Sequence, residues 1–308
     1  MEDLLLYFAI LPSLLIVIAL IRSNNIITVT LLSGAFSLFT VIMYNLLDAP
    51  DVAMTEAVVS VLSSVFAICT IKKIYKNNYI FQDSFKPSIF ILAMICGCIL
   101  VYASLDLPSF GNPNFNHYYL ENTASDIGIP STVTAILASY RGYDTLLETL
   151  VILVGGLSIL LISKTSYSAR TDQDFLVAKL ARFIFPFILL FGLYIQMHGE
   201  ISPGGGFQAG CLIAIAFILY EMACGKSILS SLKLKVIAVS GVGIYFITGL
   251  LGMLGDAAFL NYNIISENQV LGQKIGIMLV EFGVGVAVSA TMLLIYLSLN
   301  YASDESKL

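Results

Sequence analysis

The sequence has little charge. Only 11% of its 308 residues are Asp, Glu, Lys or Arg, there are two histidines, and tryptophan is absent. A soluble domain carries about a quarter of its residues as these four charged types, so this scarcity excludes an ordinary soluble protein. The net charge is −5 and the basic residues form no tract, so the phosphates of a nucleic acid would find little to attract them. We therefore expect no nucleic acid partner.

Disulfide and metal motifs are missing as well. The five cysteines lie within or at the ends of apolar segments, at Cys69, Cys96, Cys98, Cys211 and Cys224. This placement is typical of small buried side chains rather than disulfides. A structural zinc site needs four ligands, and the Cys96-x-Cys98 pair has no second pair and no histidine near it. The sequence therefore predicts no metal site and no cofactor.

Long apolar runs dominate what is present. Hydrophobic residues make up 58% of the sequence, and the core of a bilayer needs about 20 of them for each spanning helix. No segment has the alternating pattern of a membrane β-barrel. The fold class is therefore an all-α integral membrane protein with about nine transmembrane helices. The predicted spans are 4–21, 26–47, 52–71, 88–105, 144–162, 176–196, 205–223, 235–255 and 274–298.

The basic residues orient these helices. Of the 15 lysines and arginines, all but Arg141 and Lys274 fall on one side of the nine predicted spans. Cytoplasmic loops are the ones enriched in Lys and Arg, so the N-terminus is predicted outside and the C-terminus in the cytoplasm. Glu2 and Asp3 stand where a signal peptide would carry positive charge, so the first helix is predicted to be retained.

The outer segment from 106 to 143 is predicted to be an irregular excursion, and re-entry into the membrane at "STVTAILASY" is one interpretation of it. No polar stretch in the sequence is long enough to bury the core of a soluble domain. His117 and His198 fall in outer loops, without the Ser or Cys and the Asp that would suggest a catalytic triad. We expect the protein not to be an enzyme.

Carboxylates inside the predicted helices are the main candidate functional groups. An ionisable side chain at the centre of a spanning helix costs about 2.5–3.5 kcal/mol on insertion scales and therefore marks a candidate site. Asp51 and Glu56 lie early in the third span, Asp144 and Glu148 share one face of the fifth, and Glu281 lies inside the ninth. All five are candidates for an ion or proton path. The alternatives are that Asp51 and Asp144 are interfacial end residues, and that Glu281 pairs with Lys274.

A glycine-rich stretch, "QMHGEISPGGGFQAG", separates the sixth and seventh spans at residues 196–210. It lacks the Gly-Lys-Ser or Gly-Lys-Thr of a phosphate-binding loop. Ser202 and Pro203 suit the cap and first turn of the seventh helix, and the three glycines suit a close approach to a neighbour. His198 and Glu200 are candidate groups of an outer mouth. Glycines on the last two spans predict close helix packing, at Gly241, Gly249, Gly252, Gly255, Gly276, Gly283 and Gly285.

Three motifs, taken together, resemble the Mrp-type multisubunit cation/proton antiporters and their membrane-bound hydrogenase relatives. "DAPDVAMTEAVVS" resembles a three-helix module near the C-terminus of the family's large A-type subunit. "YRGYDTLLETLVIL" resembles the module that follows it, and "HGEISPGGGFQAG" with "LGQKIGIMLVEFGVGVAVSATML" resembles the B-type subunit. The motifs occur here in the family's order. This order implies three modules, at residues 1–80, 81–170 and 171–308.

The resemblance implies a subunit of a complex that exchanges Na⁺ for protons across the cell (inner) membrane. Its implied partners are large proton-channel-like subunits, small membrane subunits and lipid. The alternatives are a non-conducting scaffold, or an ion-translocating module of a hydrogenase or complex-I-like redox complex. Two departures are visible: Glu200 stands where the family often has a second histidine, and the large channel part of the A-type subunit is not among these residues. We therefore expect no antiport by the chain alone.

Overall fold

The structure is a computed structural model that describes residues 2–23, 25–76, 87–105, 117–162, 175–225, 227–255 and 258–300. In these ranges the chain is helical, with turns and no strand. The eleven α-helices are α1 (Glu2–Arg22), α2 (Ile26–Leu46), α3 (Pro50–Lys76), α4 (Pro87–Ser104), α5 (His117–Asp126), α6 (Thr132–Ala135), α7 (Gly142–Ile162), α8 (Phe175–His198), α9 (Gly206–Cys224), α10 (Ser231–Leu251) and α11 (Gln269–Asn300). A π-helical turn, Ile136–Tyr140, follows α6 directly.

Seven of these helices, α2, α3 and α7–α11, are long and apolar enough to cross a membrane, and α1 and α4 hold shorter apolar stretches. The predicted all-α membrane class is therefore confirmed. Nine spans and their orientation stay predictions, as does the division into three modules. Among the basic residues that carried the orientation, Lys86, Lys164, Arg170, Lys226 and Lys307 lie outside the described ranges.

Helix α11 is the centre of the packing. It contacts α10, α9, α7 and α3, and most of the α11 side chains that face these neighbours are buried. Glycine allows the closest of these approaches. A Cβ built on Gly241 of α10 would lie 2.6 Å from the carbonyl oxygen of Gly283 on α11, and a Cβ built on Gly283 would lie 2.7 Å from that of Gly241. The predicted packing role is confirmed for Gly241 and Gly283.

Two predictions about local structure are wrong. Cys96 and Cys98 are exposed on α4 rather than buried, because every described side chain from Ile91 to Ala103 lies on the surface of the chain. The segment predicted as an irregular excursion contains the ten-residue helix α5. Tyr118, Tyr119 and Tyr140 pack edge to face there, which gives a polar segment an aromatic contact that its sequence pattern does not reveal.

Candidate functional site

Three of the five predicted path carboxylates line one cavity of about 240 Å³. Asp51 comes from α3, Glu148 from α7 and Glu281 from α11, and the glycines Gly204–Gly206 form another side of the cavity. Other polar side chains in its lining are Thr55, Thr134, Thr145, Gln208 and Tyr245. The remaining side chains in the lining are apolar.

Asp51 is held at the start of α3. Pro50 is the first residue of that helix, a position where proline lacks only an N–H that would have no helical partner, and Asp51 is in the first turn. A negative side chain there is stabilised by the helix dipole. The backbone N–H of Gly204 donates a hydrogen bond to Asp51 Oδ1 at 3.3 Å, so Asp51 ties α3 to the glycine-rich loop.

Glu148 and Asp144 share a face of α7 but have different surroundings. Asp144 forms an ion pair with Arg141 at 2.6 Å, and both side chains are at least half exposed. Glu148, one turn further along, lines the cavity. The first residue of α7 is fixed by Tyr245, whose hydroxyl donates to the carbonyl oxygen of Gly142 at 2.6 Å.

Glu281 borders two cavities. Besides the 240 Å³ cavity it lines a second one, of about 220 Å³, together with Gln196 and Glu200. Its carboxylate makes no hydrogen bond or ion pair with another described residue, and the alternative pair with Lys274 is not formed. The groups against it are largely glycine backbone, since Cβ atoms built on Gly199 and Gly205 would lie 3.2 and 3.3 Å from its oxygens.

The structure leaves Glu56 and His198 outside this cavity lining. Glu56 is half-buried between α2 and α3, where its Oε1 lies 3.4 Å from the hydroxyl of Thr40, which donates its proton to the carbonyl oxygen of Ser37 at 2.8 Å. The ring of His198 stacks on that of Tyr194 with the centroids 4.7 Å apart. The two candidate groups of an outer mouth are therefore separated, and only Glu200 lines a cavity that reaches Glu281.

Helix α9 begins later in the glycine-rich loop than predicted. The helix starts at Gly206, and its cap is Gly205, at φ 121°, rather than Ser202 with Pro203 in the first turn. Residues with a side chain rarely adopt such a φ. A Cβ on Gly206 would also collide with the backbone carbonyl of Glu281. The cap prediction is wrong because the backbone contact with α11 sets where α9 can start.

A short segment covers the cavity. Val133, Thr134, Leu137 and Ala138, on α6 and the π-helical turn, line the cavity. Tyr262, in the loop between α10 and α11, donates to the carbonyl oxygen of Ala138 at 2.9 Å and so holds the turn in place. Isolated π-helical turns are frequent at functional sites. Whether this segment re-enters a membrane stays a prediction.

A third, more polar cavity of about 590 Å³ lies beyond that segment, lined in part by Ser139, Gln273 and Asp126. Tyr140 also lines it and donates to Asp126 Oδ2 at 3.0 Å. Burial first, and then the hydrogen bond and charge of Asp126, raise the pKa of Tyr140 to about 12. Tyr140 therefore keeps its proton at neutral pH and remains the donor of this bond.

Sequence reasoning missed Thr55, Gln208 and Tyr245. Gln208 is the most informative, because it is 9% exposed and its amide nitrogen donates to Thr55 Oγ1 at 2.9 Å. A glutamine two residues into an apolar helix is a usable signal, since a buried amide requires hydrogen-bond partners. The partner is not readable from the sequence, because Thr55 is on another helix.

The arrangement suits a cation that exchanges with a proton. Carboxylate, amide and hydroxyl oxygens are hard ligands that suit hard cations, and a carboxylate in an apolar setting binds a proton when no cation is present. Within the described residues no group of three or more His, Cys, Asp or Glu side chains has the geometry of a metal site.

Two family models match the sequence. Residues 176–294 match the domain related to the MnhB subunit of the Na⁺/H⁺ antiporter, and residues 12–76 match MbhD, the D-type subunit of the membrane-bound hydrogenase family. Each covers less than half of the chain.

Two of the relatives described below are antiporter subunits, which agrees with the MnhB match. A probable K⁺/H⁺ antiporter A/B-type subunit of Rhizobium meliloti is 24% identical over 276 residues, which cover 73% of this chain and 27% of that protein. An uncharacterized protein of Methanocaldococcus jannaschii is 33% identical over 38% of this chain and 51% of its own length. The A-type Na⁺/H⁺ antiporter subunit of Alkalihalophilus pseudofirmus is 24% identical over 48% of this chain and 19% of its own length. The chain thus spans from about a fifth to half of each of these relatives.

Two solved structures are similar to this one. A chain of the Mrp complex from a Dietzia species has a TM-score of 0.75 at 19% identity, over 98% of this chain and 35% of that chain, which shows a shared fold. A chain of the membrane-bound sulfane sulfur reductase, an archaeal respiratory complex, has a TM-score of 0.56 at 28% identity, over 71% of this chain and all of that chain. This multi-pass membrane chain thus carries an MbhD-type domain at residues 12–76 and a domain related to the MnhB subunit of the Na⁺/H⁺ antiporter at residues 176–294.

Proposed function

We propose that the protein is a membrane subunit of a multisubunit monovalent cation/proton antiporter of the cell membrane, and that its 240 Å³ cavity is part of the cation path. The observation that carries this proposal is that Asp51, Glu148 and Glu281, from three different apolar helices, line one cavity. Asp144 and Glu56 serve next to the path rather than in it, because Asp144 pairs with Arg141 and Glu56 lies at the α2–α3 contact.

The cost of placing a carboxylate in a spanning helix supports a role in ion exchange rather than a purely structural role. A carboxylate at the centre of a spanning helix costs about 2.5–3.5 kcal/mol, and Glu281, which lies inside the long helix α11, is the cavity carboxylate to which this cost applies. A purely structural helix would avoid that cost with an apolar residue. A carboxylate that binds either a proton or a cation removes the unfavourable charge in both states. Relatives described as Na⁺/H⁺ and K⁺/H⁺ antiporter subunits indicate a monovalent cation. The partners are other antiporter subunits and lipid, and the role is transport rather than catalysis.

Neutral substitutions in the cavity test the path. In the assembled complex, Asp51→Asn and Glu148→Gln should each lower cation-dependent proton efflux from everted vesicles by at least about tenfold, because the amide cannot exchange a proton for a cation. Glu121→Gln, an exposed residue of α5, is the matched control and should leave the flux unchanged. Normal flux in both cavity variants, with normal assembly, would contradict the proposal.

The scaffold alternative gives a different result with the same variants. If the carboxylates only pair with basic groups of neighbouring subunits, Asp51→Asn and Glu148→Gln should reduce the amount of intact complex recovered in mild detergent. The flux per assembled complex would then stay unchanged. Native gel analysis of each variant beside its vesicle assay separates the two outcomes.

A redox complex is the second candidate for the parent assembly. It is favoured by the sulfane sulfur reductase chain, which is covered over its whole length at 28% identity. The same cavity would then conduct ions coupled to electron transfer in another subunit. Purification in mild detergent distinguishes these assemblies: antiporter subunits alone should co-purify with an antiporter module, whereas iron or flavin absorbance in the purified complex would favour the redox assembly.

A further inference from the structure

The direction of two hydrogen bonds fixes how Gln208 is oriented. The hydroxyl of Thr55 donates its only proton to the carbonyl oxygen of Asp51 at 2.9 Å. Thr55 Oγ1 therefore has only its lone pairs left for Gln208, which lies 2.9 Å away, and the group that faces Thr55 must be the amide Nε2, a donor. The amide oxygen, Oε1, is consequently turned away from Thr55.

That oxygen faces the same space as the carboxylate of Glu281. A Cβ built on Gly205 would lie 3.6 Å from Gln208 Oε1 and 3.3 Å from Glu281 Oε1, so both oxygens border the volume that the missing side chain leaves open. Gln208 is 9% exposed. No described residue donates a hydrogen bond to Gln208 Oε1 or to the Glu281 carboxylate. Gly205 has no side chain to fill this volume, and its φ of 121° disfavours any residue that has one.

Both oxygens border this cavity, and neither accepts a hydrogen bond from a described residue. Two kinds of occupant can use acceptors placed in this way. A proton on Glu281 converts one acceptor into an O–H donor. A cation between the oxygens uses both as ligands. A single small volume can therefore bind a proton or a cation but not both.

We propose that Glu281 and Gln208, with Thr55 as the positioning residue, form the site at which the proton and the monovalent cation exchange. In the exchange, the Glu281 O–H bond breaks, its proton leaves to water, and the cation is bound by the resulting carboxylate and the Gln208 amide oxygen, so the charge of the site is unchanged. Asp51 of α3, Glu148 of α7, Glu200 after α8 and Tyr245 of α10 are the titratable groups that face Glu281. This inference rests on the proposed transport function and assigns its binding step.

Replacing Gln208 tests the amide as a ligand. In the assembled complex at alkaline pH, where proton competition is smallest, Gln208→Leu should raise the cation concentration for half-maximal proton efflux by about tenfold, the effect of one lost interaction with a charged group. The maximal rate should change much less. Gln269→Leu, at the exposed start of α11, is the matched control and should change neither quantity.

Replacing Thr55 tests the positioning role. Thr55→Val has a similar shape but loses the hydroxyl that orients Gln208, so the half-maximal cation concentration should rise, by less than in Gln208→Leu. Thr55→Ser keeps the hydroxyl and should restore the normal value. If Thr55 served only to fill space, Thr55→Ser, which removes a methyl group, would not bring the half-maximal cation concentration closer to normal than Thr55→Val does.

The outcomes separate this inference from the proposed function. If Glu281→Gln abolishes the flux while Gln208→Leu and Thr55→Val leave the half-maximal concentration unchanged, the path stands and the exchange site is overturned. If Asp51→Asn and Glu148→Gln both transport normally in complexes that assemble normally, the path itself is overturned. Should Gln208→Leu fail to assemble, the comparison of valine with serine at position 55 decides.

Discussion

Gly206 is the residue on which the geometry of the site most depends. Its backbone lies so close to the carbonyl of Glu281 that any side chain would collide with it. The obstacle is backbone, which cannot move aside as a flexible side chain can. The distance between α9 and α11, and so the space between Gln208 and Glu281, is set by the absence of one methyl group.

Gly206→Ala should therefore destabilise the protein by about 1–3 kcal/mol, the usual cost of overpacking, and lower its unfolding temperature in detergent. Gly155→Ala is the matched control: Gly155 is also helical, but nothing lies within 4 Å of its missing Cβ. Alanine is the better helix former by about 1 kcal/mol, so the control should be neutral or slightly stabilising. Equal unfolding temperatures for the two variants would contradict the importance of this contact.

At the scale of elements, the π-helical turn Ile136–Tyr140 and the preceding α6 are held by hydrogen bonds to other segments. Tyr262 donates to Ala138 O, Ser139 donates to Gln273 Oε1 at 2.8 Å, and Thr134 of α6 donates to Gly199 O at 2.6 Å. These bonds tie the segment to α11, the loop between α10 and α11, and the glycine-rich loop at once. The cover of the carboxylate cavity is thus fixed by long-range contacts.

Tyr262→Phe should loosen that cover. The change leaves the buried carbonyl of Ala138 without its donor, which costs about 1–3 kcal/mol, so amide hydrogen exchange across residues 136–140 should become faster. Tyr102→Phe, on the exposed surface of α4, should leave exchange unchanged. An unaltered exchange rate in Tyr262→Phe would show that the other contacts suffice to hold the turn.

At the scale of the whole molecule, the cavity lies where three helices begin. Asp51 is in the first turn of α3, Glu148 in the second turn of α7, and Gly206 is the first residue of α9. With the predicted orientation, these three helices all run from the outside inward. Their positive dipole ends would meet on the outer side, where they favour carboxylates and would place the cavity in the outer half of the membrane.

Cysteine labelling checks that orientation. In a chain whose own cysteines are replaced, Glu267→Cys, in the loop before α11, should react with a membrane-impermeant maleimide in intact cells. Ile228→Cys, between α9 and α10, should react only after the membrane is opened. Both positions are exposed, so accessibility within the protein does not separate them. Labelling in the reverse order would place the cavity on the cytoplasmic side.

The sequence by itself determined the membrane class, the approximate positions of the long apolar helices and the family motifs. These properties depend on local composition, because a bilayer demands about 20 apolar residues wherever the chain crosses it. The candidate carboxylates were also readable, since an ionisable group in such a run stands out.

Only the tertiary structure decided which carboxylates share a cavity. Asp51 and Glu56 lie five residues apart, about 140° around a helix with 3.6 residues per turn, so only one of them can face the centre, and the sequence does not say which. Asp144 and Glu148 share a face, yet Arg141 pairs with the first. Gln208 acquires its orientation from Thr55, 153 residues away. These outcomes depend on how each helix is rotated against its neighbours, which is set by packing contacts, such as that of Gly206 with Glu281, between segments far apart in the chain.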